Sequence, residues 1–355
     1  MEWLNEILEE IEPLNKAIMN QKSNQIDNLT KPIGSLGVLE KIAIQIAGIK
    51  NELNSKINRK NIIIMCSDNG VVESGVSSNP QEVTKIVTEN FTKNITGINA
   101  LASFAKSDIK IIDIGVKFDF NHSMIVNKKI AYGTQNMLYG SAMSRVDALE
   151  AIKVGIEIVD QLSLEGYDLL GTGEMGVGNT ATSGAVFSVL SGREIEVVVG
   201  KGAGLTEEQL IYKKQIVEKA IQINQPNAED VIDVLAKVGG FDIAGLCGCF
   251  IGAAKNKIPI VIDGLIASVA ALCAYKLNPI VKEYMIPSHL SKEPASKYVM
   301  NELGLKPMLN LDMRLGEGTG CPLAFNIIEA SLYAVSSMGT FSDAKLNKKD
   351  YVDIR

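Results

Sequence analysis

The sequence predicts an α/β protein with a Rossmann-like, doubly wound and mostly parallel sheet, and two observations carry this prediction. Short aliphatic runs alternate along the chain with longer stretches of helical periodicity, which is the pattern of βαβ units. Most of these runs end in glycine or polar residues, as strands do where a parallel sheet binds its ligands. The 355 residues are 46% hydrophobic, so a buried core of this kind can form.

The first elements of the chain are predicted to be helices. Apolar residues at helical spacing indicate an amphipathic helix that ends near Pro13. Its apolar face consists of Trp3, Leu4, Ile7, Leu8 and Ile11. A second helix fits Leu36–Lys50, and a turn-rich loop that contains Lys31 lies between the two helices.

Aliphatic runs predict the first two strands. Asn61–Cys66 is a continuous apolar run of the kind that is buried in parallel sheets, and it ends in the polar sequence Ser67–Gly70. A helix around Pro80–Ala105 then leads to the strand Ile109–Ile114, which is followed by Gly115. Both strands therefore end in glycine or polar residues, as expected at the carboxyl edge of a parallel sheet.

The second half of the sheet is predicted in the same way. A helix near Ser144–Ser163 precedes a strand near Tyr167–Leu170, which runs into a glycine-rich segment. Ile195–Val199 and Ile258–Ile262 are further apolar runs, each followed by a glycine or polar turn, and both are predicted to be strands. We expect a large α/β domain over residues 60–315. The terminal segments, 1–59 and 316–355, are predicted to pack together as a small helical domain formed from both chain ends.

Composition excludes several classes of function. Lys and Arg total 35 against 41 Asp and Glu, a net charge of −6, so no nucleic-acid partner is expected. The acidic N-terminus lacks the pattern of a signal peptide, and no apolar stretch approaches the roughly 20 residues of a membrane span. We therefore expect no membrane partner and a cytoplasmic protein.

Metal and cofactor chemistry is not expected either. The five cysteines and two histidines lack the spacing of a metal-binding motif. The cysteines are predicted to be buried free thiols in a reducing compartment. The sequence thus predicts no metal site and no bound cofactor.

The glycine-rich segment Gly171–Thr180 is the first candidate ligand site. Gly171, Gly173 and Gly176 satisfy G-x-G-x-x-G, the dinucleotide fingerprint. The acidic residue that this fingerprint requires at the end of the next strand is missing, because Ile195–Val199 is followed by glycine. The segment is therefore either a phosphate-binding loop or a tight strand–helix turn without a ligand.

Two further segments contain candidate binding residues. Gly200, Gly202 and Gly204 precede a helix with Lys213, which is either a charge for a bound phosphate or a solvated surface lysine. Asp263 follows an apolar run, where it can either accept hydrogen bonds from ribose hydroxyls or cap the next helix.

Glu317 is the candidate general base. It lies between Gly316 and Gly318 in an apolar neighbourhood, where a carboxyl group can have a raised pKa. The alternative is a glutamate that interacts with the dipole of a helix beginning near Pro322. Spacing alone leaves both interpretations open.

Several motifs occur in a fixed order over nearly the whole chain. They are residues 29–37 (LTKPIGSLG), 68–72 (DNGVV), 75–77 (GVS), 80–84 (PQEVT), 173–180 (GEMGVGNT), 238–245 (VGGFDIAG), 288–289 (SH), 293–294 (EP) and 314–320 (RLGEGTG). In this order, from about Asn28 to Phe341, the sequence resembles the nicotinate-nucleotide–dimethylbenzimidazole phosphoribosyltransferase family.

The resemblance implies a reaction and a set of residues. The 5-phosphoribosyl group of nicotinate mononucleotide would pass to 5,6-dimethylbenzimidazole, giving α-ribazole 5′-phosphate and nicotinate for cobalamin nucleotide-loop assembly. A homodimer is implied, with Glu317 as the general base. The implied phosphoribosyl site consists of Glu174, Gly176, Gly202, Lys213, Asp263 and Ser291. The implied site of the aromatic acceptor consists of Pro80, Met175 and Leu315.

Three positions depart from the family pattern. Asn69 stands where many relatives have histidine, and Ala295-Ser296 replaces a common Gly-His pair. Apolar Ile86 stands where a polar glutamine is expected near the acceptor. None of these changes touches Glu317 or the glycine loops, so they bear on the identity of the acceptor rather than on the type of reaction. The natural acceptor can be a benzimidazole, a purine or a phenol.

Two other functions remain open from the sequence. A nicotinamide-dinucleotide-dependent oxidoreductase would use the fingerprint at Gly171–Gly176, although the acid on the next strand is missing. A phosphate or nucleotide sensor would bind without turnover and would need no base at Glu317. The transferase is favoured because the ordered motifs resemble that family over nearly the whole chain.

Overall fold

A six-stranded sheet organises the chain in the computed structural model, which describes residues 1–355. Its strands are β1 (Lys60–Ser67), β2 (Asp108–Gly115), β3 (Ile125–Asn127), β4 (Leu169–Met175), β5 (Ile260–Ile262) and β6 (Met285–Pro287). They lie in the order β3-β2-β1-β4-β5-β6, and every neighbouring pair is parallel. This is the strand order of a doubly wound Rossmann-like sheet, so the predicted fold class is confirmed.

The strand order reverses between β1 and β4, at the centre of the sheet. These two strands pair from Lys60 opposite Leu169 to Cys66 opposite Met175. Every residue of β1 is buried, because helices cover both faces of the sheet. A crevice opens at the carboxyl ends of strands at such a reversal, and ligands bind there.

Helices surround the sheet. Before β4 they are α1 (Glu2–Glu9), α2 (Lys16–Ile26), α3 (Val38–Lys50), α4 (Glu82–Thr92), α5 (Gly97–Phe104) and α6 (Arg145–Leu164). After β4 they are α7 (Asn179–Ser191), α8 (Ile195–Val198), α9 (Glu207–Asn224), α10 (Val231–Val238), α11 (Phe241–Lys255), α12 (Leu265–Leu277), α13 (Ser296–Leu303) and α14 (Gly320–Ser337). Short 3₁₀ turns occupy Gly70–Ser74, Pro279–Tyr284 and Lys348–Asp350. None of the helices combines the length and apolar character needed to span a bilayer.

The larger hydrophobic core lies on the face of the sheet covered by α6 and α11. These helices cross so closely that a Cβ on Gly155 or Gly248 would collide with the backbone of the opposite helix. Ser144 and Asp147 cap the start of α6 reciprocally, which satisfies backbone N–H groups of its first turn. The five cysteines lie in β1, α11, α12 and α14, and all of them are free and buried, as predicted.

The opposite face of the sheet is covered by helices from both parts of the chain. Ile46 of α3, Phe91 of α4, Ile98 of α5 and Phe325 of α14 share one apolar cluster with Ile64 of β1. The helices at the two ends of the chain therefore pack directly on the sheet.

The two chain ends also contact each other. Ile26, Leu29, Ala43 and Val335 form a small separate cluster. A backbone bridge pairs Leu29 with Thr340. The division into residues 60–315 and a terminal helical domain stays a prediction, which this cluster supports.

Two predicted elements are wrong, for identifiable reasons. Ile195–Val199 is not a strand, since its first four residues form α8, and a short buried apolar run does not distinguish helix from strand. The long helix predicted at Pro80–Ala105 is two helices, interrupted where Asn94 adopts a φ of 57° and Thr96 caps α5.

Other differences concern boundaries and short elements. The strand predicted at Tyr167–Leu170 continues to Met175, so the glycine-rich segment begins inside the sheet. The first helix ends at Glu9 rather than near Pro13. The sequence predicts neither α2 nor the three-residue strands β3 and β6, which are too short to show a periodicity.

Candidate active site

A cleft at the carboxyl ends of β1, β4 and β5 forms the candidate active site. Its volume is about 580 Å³, within the usual range for small-molecule sites. All residues predicted for the site line this cleft except Lys213 and Pro80. The predicted residues that line it are Glu174, Met175, Gly176, Gly202, Asp263, Ser291, Leu315 and Glu317.

The glycine-rich segment is partly strand rather than loop, which corrects the fingerprint interpretation. Gly171 and Gly173 lie within β4, and only Gly176 belongs to the turn before α7. A Cβ on Gly173 would lie 2.7 Å from the carbonyl oxygen of Glu317, so the absence of a side chain lets the Glu317 loop pack on the strand. The three glycines therefore do not form one dinucleotide-binding loop.

The turn after β4 brings the backbone against buried polar groups. A Cβ on Gly176 would lie 2.5 Å from the carbonyl oxygen of Ser67 and 2.9 Å from Oδ2 of Asp242, so only glycine fits. Asn179 and Thr180, the first residues of α7, line the cleft. The N-terminus of a helix favours a bound anion through its unpaired N–H groups and its dipole.

Asp263 holds the Glu317 loop in place. Its side chain accepts hydrogen bonds from the N–H groups of Gly318 (3.0 Å) and Gly320 (2.7 Å). It makes no N-terminal cap on α12, so the capping alternative is wrong. Burial raises the pKa of Asp263 to about 7, although the backbone N–H groups lower it.

The Glu317 loop has an unusual backbone. Gly316, Glu317 and Gly318 adopt φ values of 80°, 60° and 89°, a left-handed run that is costly for glutamate. Burial raises the pKa of the Glu317 carboxyl, and the Ile98 N–H at the start of α5 partly offsets this. Its Oε2 atom is buried without a hydrogen-bond partner. A carboxylate in this state can accept a proton from a bound substrate.

Glu174 is a second buried acid beside Glu317. It accepts a hydrogen bond from the Asn179 side chain, and the Glu317 N–H donates to its Oε1 at 3.4 Å. Burial first, and then the nearby Asp242 and Asp263, raise the pKa of Glu174 to about 8. At neutral pH this group is therefore mostly protonated and can donate a hydrogen bond.

Lys213 is a buried cation behind the cleft wall. Its Nζ donates to Oγ1 of Thr180 (2.7 Å) and to the carbonyl oxygen of Gly200 (3.0 Å). The side chain is almost fully buried, so the alternative of a solvated surface lysine is wrong. Burial lowers the pKa of Lys213 to about 8, while Glu293 raises it. The ammonium group lies 3.5 Å from the position of a Cβ on Gly202, so the positive charge is close to the glycine turn. A role toward a phosphate stays a prediction.

The remaining predicted residues differ in their placement. Ser291 is buried and lines the cleft, and Met175 ends β4 beside it. Leu315 also lines the cleft and is 60% exposed, which suits a contact with an apolar ring at the mouth. Pro80 is exposed and does not line the cleft, although its neighbour Asn79 does. A role for Pro80 toward the acceptor stays a prediction.

Several residues of the site carried no predicted role. They belong to the ordered motifs of the sequence analysis, and that membership was the signal that could have found them. The cleft is lined by Asn179, Thr180, His289, Glu293 and Arg314, and Asp242 is buried beside Gly176. Burial lowers the pKa of His289 and so favours its neutral form. No three His, Cys, Asp or Glu side chains are arranged to hold a metal ion.

Comparison with known proteins identifies the class of enzyme to which this chain belongs. A family model described as "Phosphoribosyltransferase" (DBI_PRT) matches residues 11–346. The chain is therefore a phosphoribosyltransferase, an enzyme that transfers a glycosyl group.

Individual relatives narrow the class to one family. The chain is 54% identical to the nicotinate-nucleotide–dimethylbenzimidazole phosphoribosyltransferase of Clostridium tetani, over 100% of this chain and 98% of the relative. The enzyme of the same name from Clostridium acetobutylicum is 54% identical, with 97% of each chain covered. The crystal structure of CobT from Thermus thermophilus superposes with a TM-score of 0.89 at 34% identity, covering 93% of this chain and 99% of that one. The chain belongs to the nicotinate-nucleotide–dimethylbenzimidazole phosphoribosyltransferase family.

Proposed function

We propose that this chain transfers the 5-phosphoribosyl group from nicotinate mononucleotide to 5,6-dimethylbenzimidazole or a related base. The products are α-ribazole 5′-phosphate and nicotinate, for assembly of the cobalamin nucleotide loop. One observation carries the proposal: a single cleft places an unpartnered glutamate, Glu317, together with glycine turns backed by Lys213. A base and a phosphate site in one cleft are what this transfer requires.

The chemistry of the donor explains why one base is sufficient. In nicotinate mononucleotide the pyridine nitrogen is positively charged, so when the N–C1′ bond breaks its electron pair neutralises that nitrogen. No acid is needed to protonate the leaving group. The unprotonated ring nitrogen of the acceptor supplies the electron pair of the new N–C1′ bond. The N–H proton on the other ring nitrogen passes to the Glu317 carboxylate, which leaves the product neutral at the base.

The cleft also explains how the substrates are oriented. The donor phosphate is expected at the N-terminus of α7 and the Gly202 turn, where Lys213 lies behind Thr180. The acceptor is expected at the opposite wall, between Met175 and Leu315, next to Glu317. Inversion at C1′ then follows from holding the two rings on opposite faces of the ribose.

The two competing functions receive less support. A dinucleotide-dependent oxidoreductase would need a glycine loop, whereas Gly171 and Gly173 are strand residues that pack against Cys321 and the Glu317 backbone. A sensor would not need a strained glutamate with a raised pKa beside the ligand. The transferase proposal uses both features.

A product assay with competing bases tests the proposal. The enzyme is incubated with nicotinate mononucleotide and equal amounts of dimethylbenzimidazole, benzimidazole, adenine, phenol and p-cresol, and the nucleotides are identified by mass spectrometry. We expect a ribotide of at least one benzimidazole together with an equal amount of nicotinate. Release of nicotinate without any new ribotide, or no reaction with any base, would contradict the proposal.

A homodimer and a cytoplasmic location belong to the same proposal. Ile86 on α4 and Leu315 at the cleft mouth are exposed apolar side chains that a second copy could cover. Light scattering coupled to size-exclusion chromatography measures the molecular mass in solution, and we expect twice the mass of one chain.

A further inference from the structure

Glu293 is a buried acid in the cleft wall that the proposed mechanism does not use. It lines the cleft and is only 8% exposed. Its Oε2 atom is buried and has no hydrogen-bond partner. Burying a carboxylate oxygen without a hydrogen-bond partner costs free energy of folding. This atom therefore indicates that a bound ligand supplies the missing partner.

The Glu293 side chain lies against the glycine turn of the phosphate site. A Cβ on Gly200 would collide with Oε2 of Glu293 and with Pro294, so the turn can approach the acid only because residue 200 is glycine. The backbone N–H of Gly202 also faces this carboxylate. Glu293 and the expected phosphate therefore share one wall of the cleft.

The charges around Glu293 are few. Lys213 of α9 and Arg314 of the loop before Glu317 face it and favour its charged form, while burial disfavours that form and raises its pKa. No cation lies within 4 Å of the carboxylate, and the nearby Asp312 is paired with Lys292 at 2.5 Å. The negative charge of Glu293 in turn raises the pKa of Lys213.

A phosphate monoester at this wall would add negative charge beside a carboxylate. Two like charges in a buried site disfavour each other, and the group with the higher affinity for a proton takes one up. We propose that Glu293 binds one proton from solvent when the 5′-phosphate enters the cleft, and that the resulting O–H group donates a hydrogen bond to a phosphate oxygen. The proton returns to solvent when the phosphate leaves. The donor's identity rests on the proposed function, but any phosphate monoester in this site would have the same effect.

The proposal predicts a linkage between binding and pH. Above the pKa of Glu293 in the empty site, each unit of rising pH weakens phosphate binding by up to tenfold, because one proton must be taken from solution. Glu293→Gln carries a permanent donor of the same shape. The affinity of this variant for the phosphate therefore no longer depends on protonation of residue 293. At high pH the variant binds the phosphate more tightly than the parent does.

Calorimetry measures the proton directly. Nicotinate mononucleotide is titrated into the enzyme without acceptor base, at pH 7 to 8, in two non-phosphate buffers with different ionisation enthalpies. We expect the parent to take up more protons per bound nucleotide than Glu293→Gln, by a difference approaching one. The control Glu302→Gln alters an exposed glutamate on α13 and should behave like the parent.

A second measurement needs no variant, so it holds even where Glu293→Gln fails to fold. The riboside of nicotinate lacks the phosphate but occupies the rest of the site, and we expect its binding to the parent enzyme to take up fewer protons than binding of the nucleotide. Equal proton uptake with riboside and nucleotide, or equal uptake by the parent and Glu293→Gln, would overturn the inference while leaving the transferase proposal intact. No binding of nicotinate mononucleotide at all would overturn both.

Discussion

Glu317 and Glu174 are the same kind of side chain in one cleft, yet the fold places them in different states. Glu317 has an oxygen without any partner and a carboxyl whose pKa is raised mainly by burial. Glu174 is surrounded by Asp242 and Asp263, and its pKa reaches about 8. The surroundings of Glu174 favour its protonated form, whereas the unpartnered oxygen of Glu317 is free to accept a proton from a substrate. Paired carboxyl groups divide acid and base roles when their environments differ in this way.

Glu317→Gln is expected to lower kcat by about 10²–10⁴-fold, the usual loss when a general base is removed. The amide has nearly the same shape but almost no basicity. KM for the acceptor should change much less, because the amide can still form a hydrogen bond. Steady-state kinetics with dimethylbenzimidazole and with a phenol measure both quantities. The phenol should be affected at least as strongly, since its proton, with a pKa of about 10, must be removed before oxygen attacks.

A matched control is Glu302→Gln, an exposed change of the same type on α13. It should leave kcat at the parental value. If Glu317→Gln also keeps the parental kcat with every acceptor, then Glu317 is not the base and Glu174 becomes the candidate.

Lys213→Met is expected to raise KM for nicotinate mononucleotide by about tenfold to a hundredfold, the worth of one charged hydrogen bond. Methionine keeps the apolar stem that fills this buried position. Lys214→Met is the matched control, because the neighbouring ammonium group points away to the Glu196 carbonyl oxygen. Similar KM values for the two variants would remove Lys213 from the phosphate site.

At the level of elements, β4 and the Glu317 loop work as one unit. The loop crosses the strand at Gly173, where the Glu317 carbonyl carbon and the Gly318 nitrogen would each lie 2.9 Å from an added Cβ. Asp263, just after β5, holds the other side of the loop through two backbone N–H groups. Three separate segments thus set the position of one carboxylate.

Gly173→Ala is expected to displace the Glu317 loop and lower kcat by about 10²-fold, the effect of moving a reacting group by roughly 1 Å. The sheet should survive, because alanine is accepted in strands. Circular dichroism checks the fold and steady-state kinetics check the rate. Gly339→Ala, where an added Cβ meets nothing closer than 3.6 Å, is the control and should be neutral. A Gly173→Ala enzyme with parental kcat would show that the loop does not depend on this contact.

Across the whole molecule, the cleft gathers buried acids in a protein that is already negatively charged. Burial is the main cause that raises the pKa values of Asp242 to about 6, Asp263 to about 7 and Glu174 to about 8. A carboxyl group whose pKa is raised by folding stabilises the protein below its unfolded pKa, and this contribution is lost as pH rises through the folded pKa. The active site is therefore least favourable for stability at alkaline pH.

The free energy of unfolding of the empty enzyme is expected to fall between about pH 5 and pH 8, by at most about 1.4 kcal/mol per pH unit for each proton released. Urea unfolding at several pH values measures it. The glutamine in Glu174→Gln cannot titrate. The free energy of unfolding of this variant should therefore increase relative to that of the parent as pH rises over the same interval. A constant difference between the two proteins throughout that interval would contradict the raised pKa of Glu174.

The extent of sequence-based prediction differs between elements. β1 and β2 were predictable within a residue or two. β1 contains a continuous apolar run and is buried along its whole length, and β2 is rich in isoleucine and buried over its second half. α8 was not, because four apolar residues fit a helix or a strand equally well. The motif around Glu317 indicated a base, but nothing in the spacing showed that Asp263 would anchor its loop rather than cap α12.

The sequence alone was sufficient to predict the fold class, the family and eight residues that line the cleft, since periodicity and motifs can be read along the chain without knowing which segments meet. Which groups meet depends instead on the tertiary structure. Glu174 and Glu317 are 143 residues apart in sequence, and their contact exists only because β4 and the later loop share one edge of the sheet. The burial of Lys213, the unpartnered oxygen of Glu293 and the raised pKa values likewise depend on distances between distant segments, which no local pattern encodes.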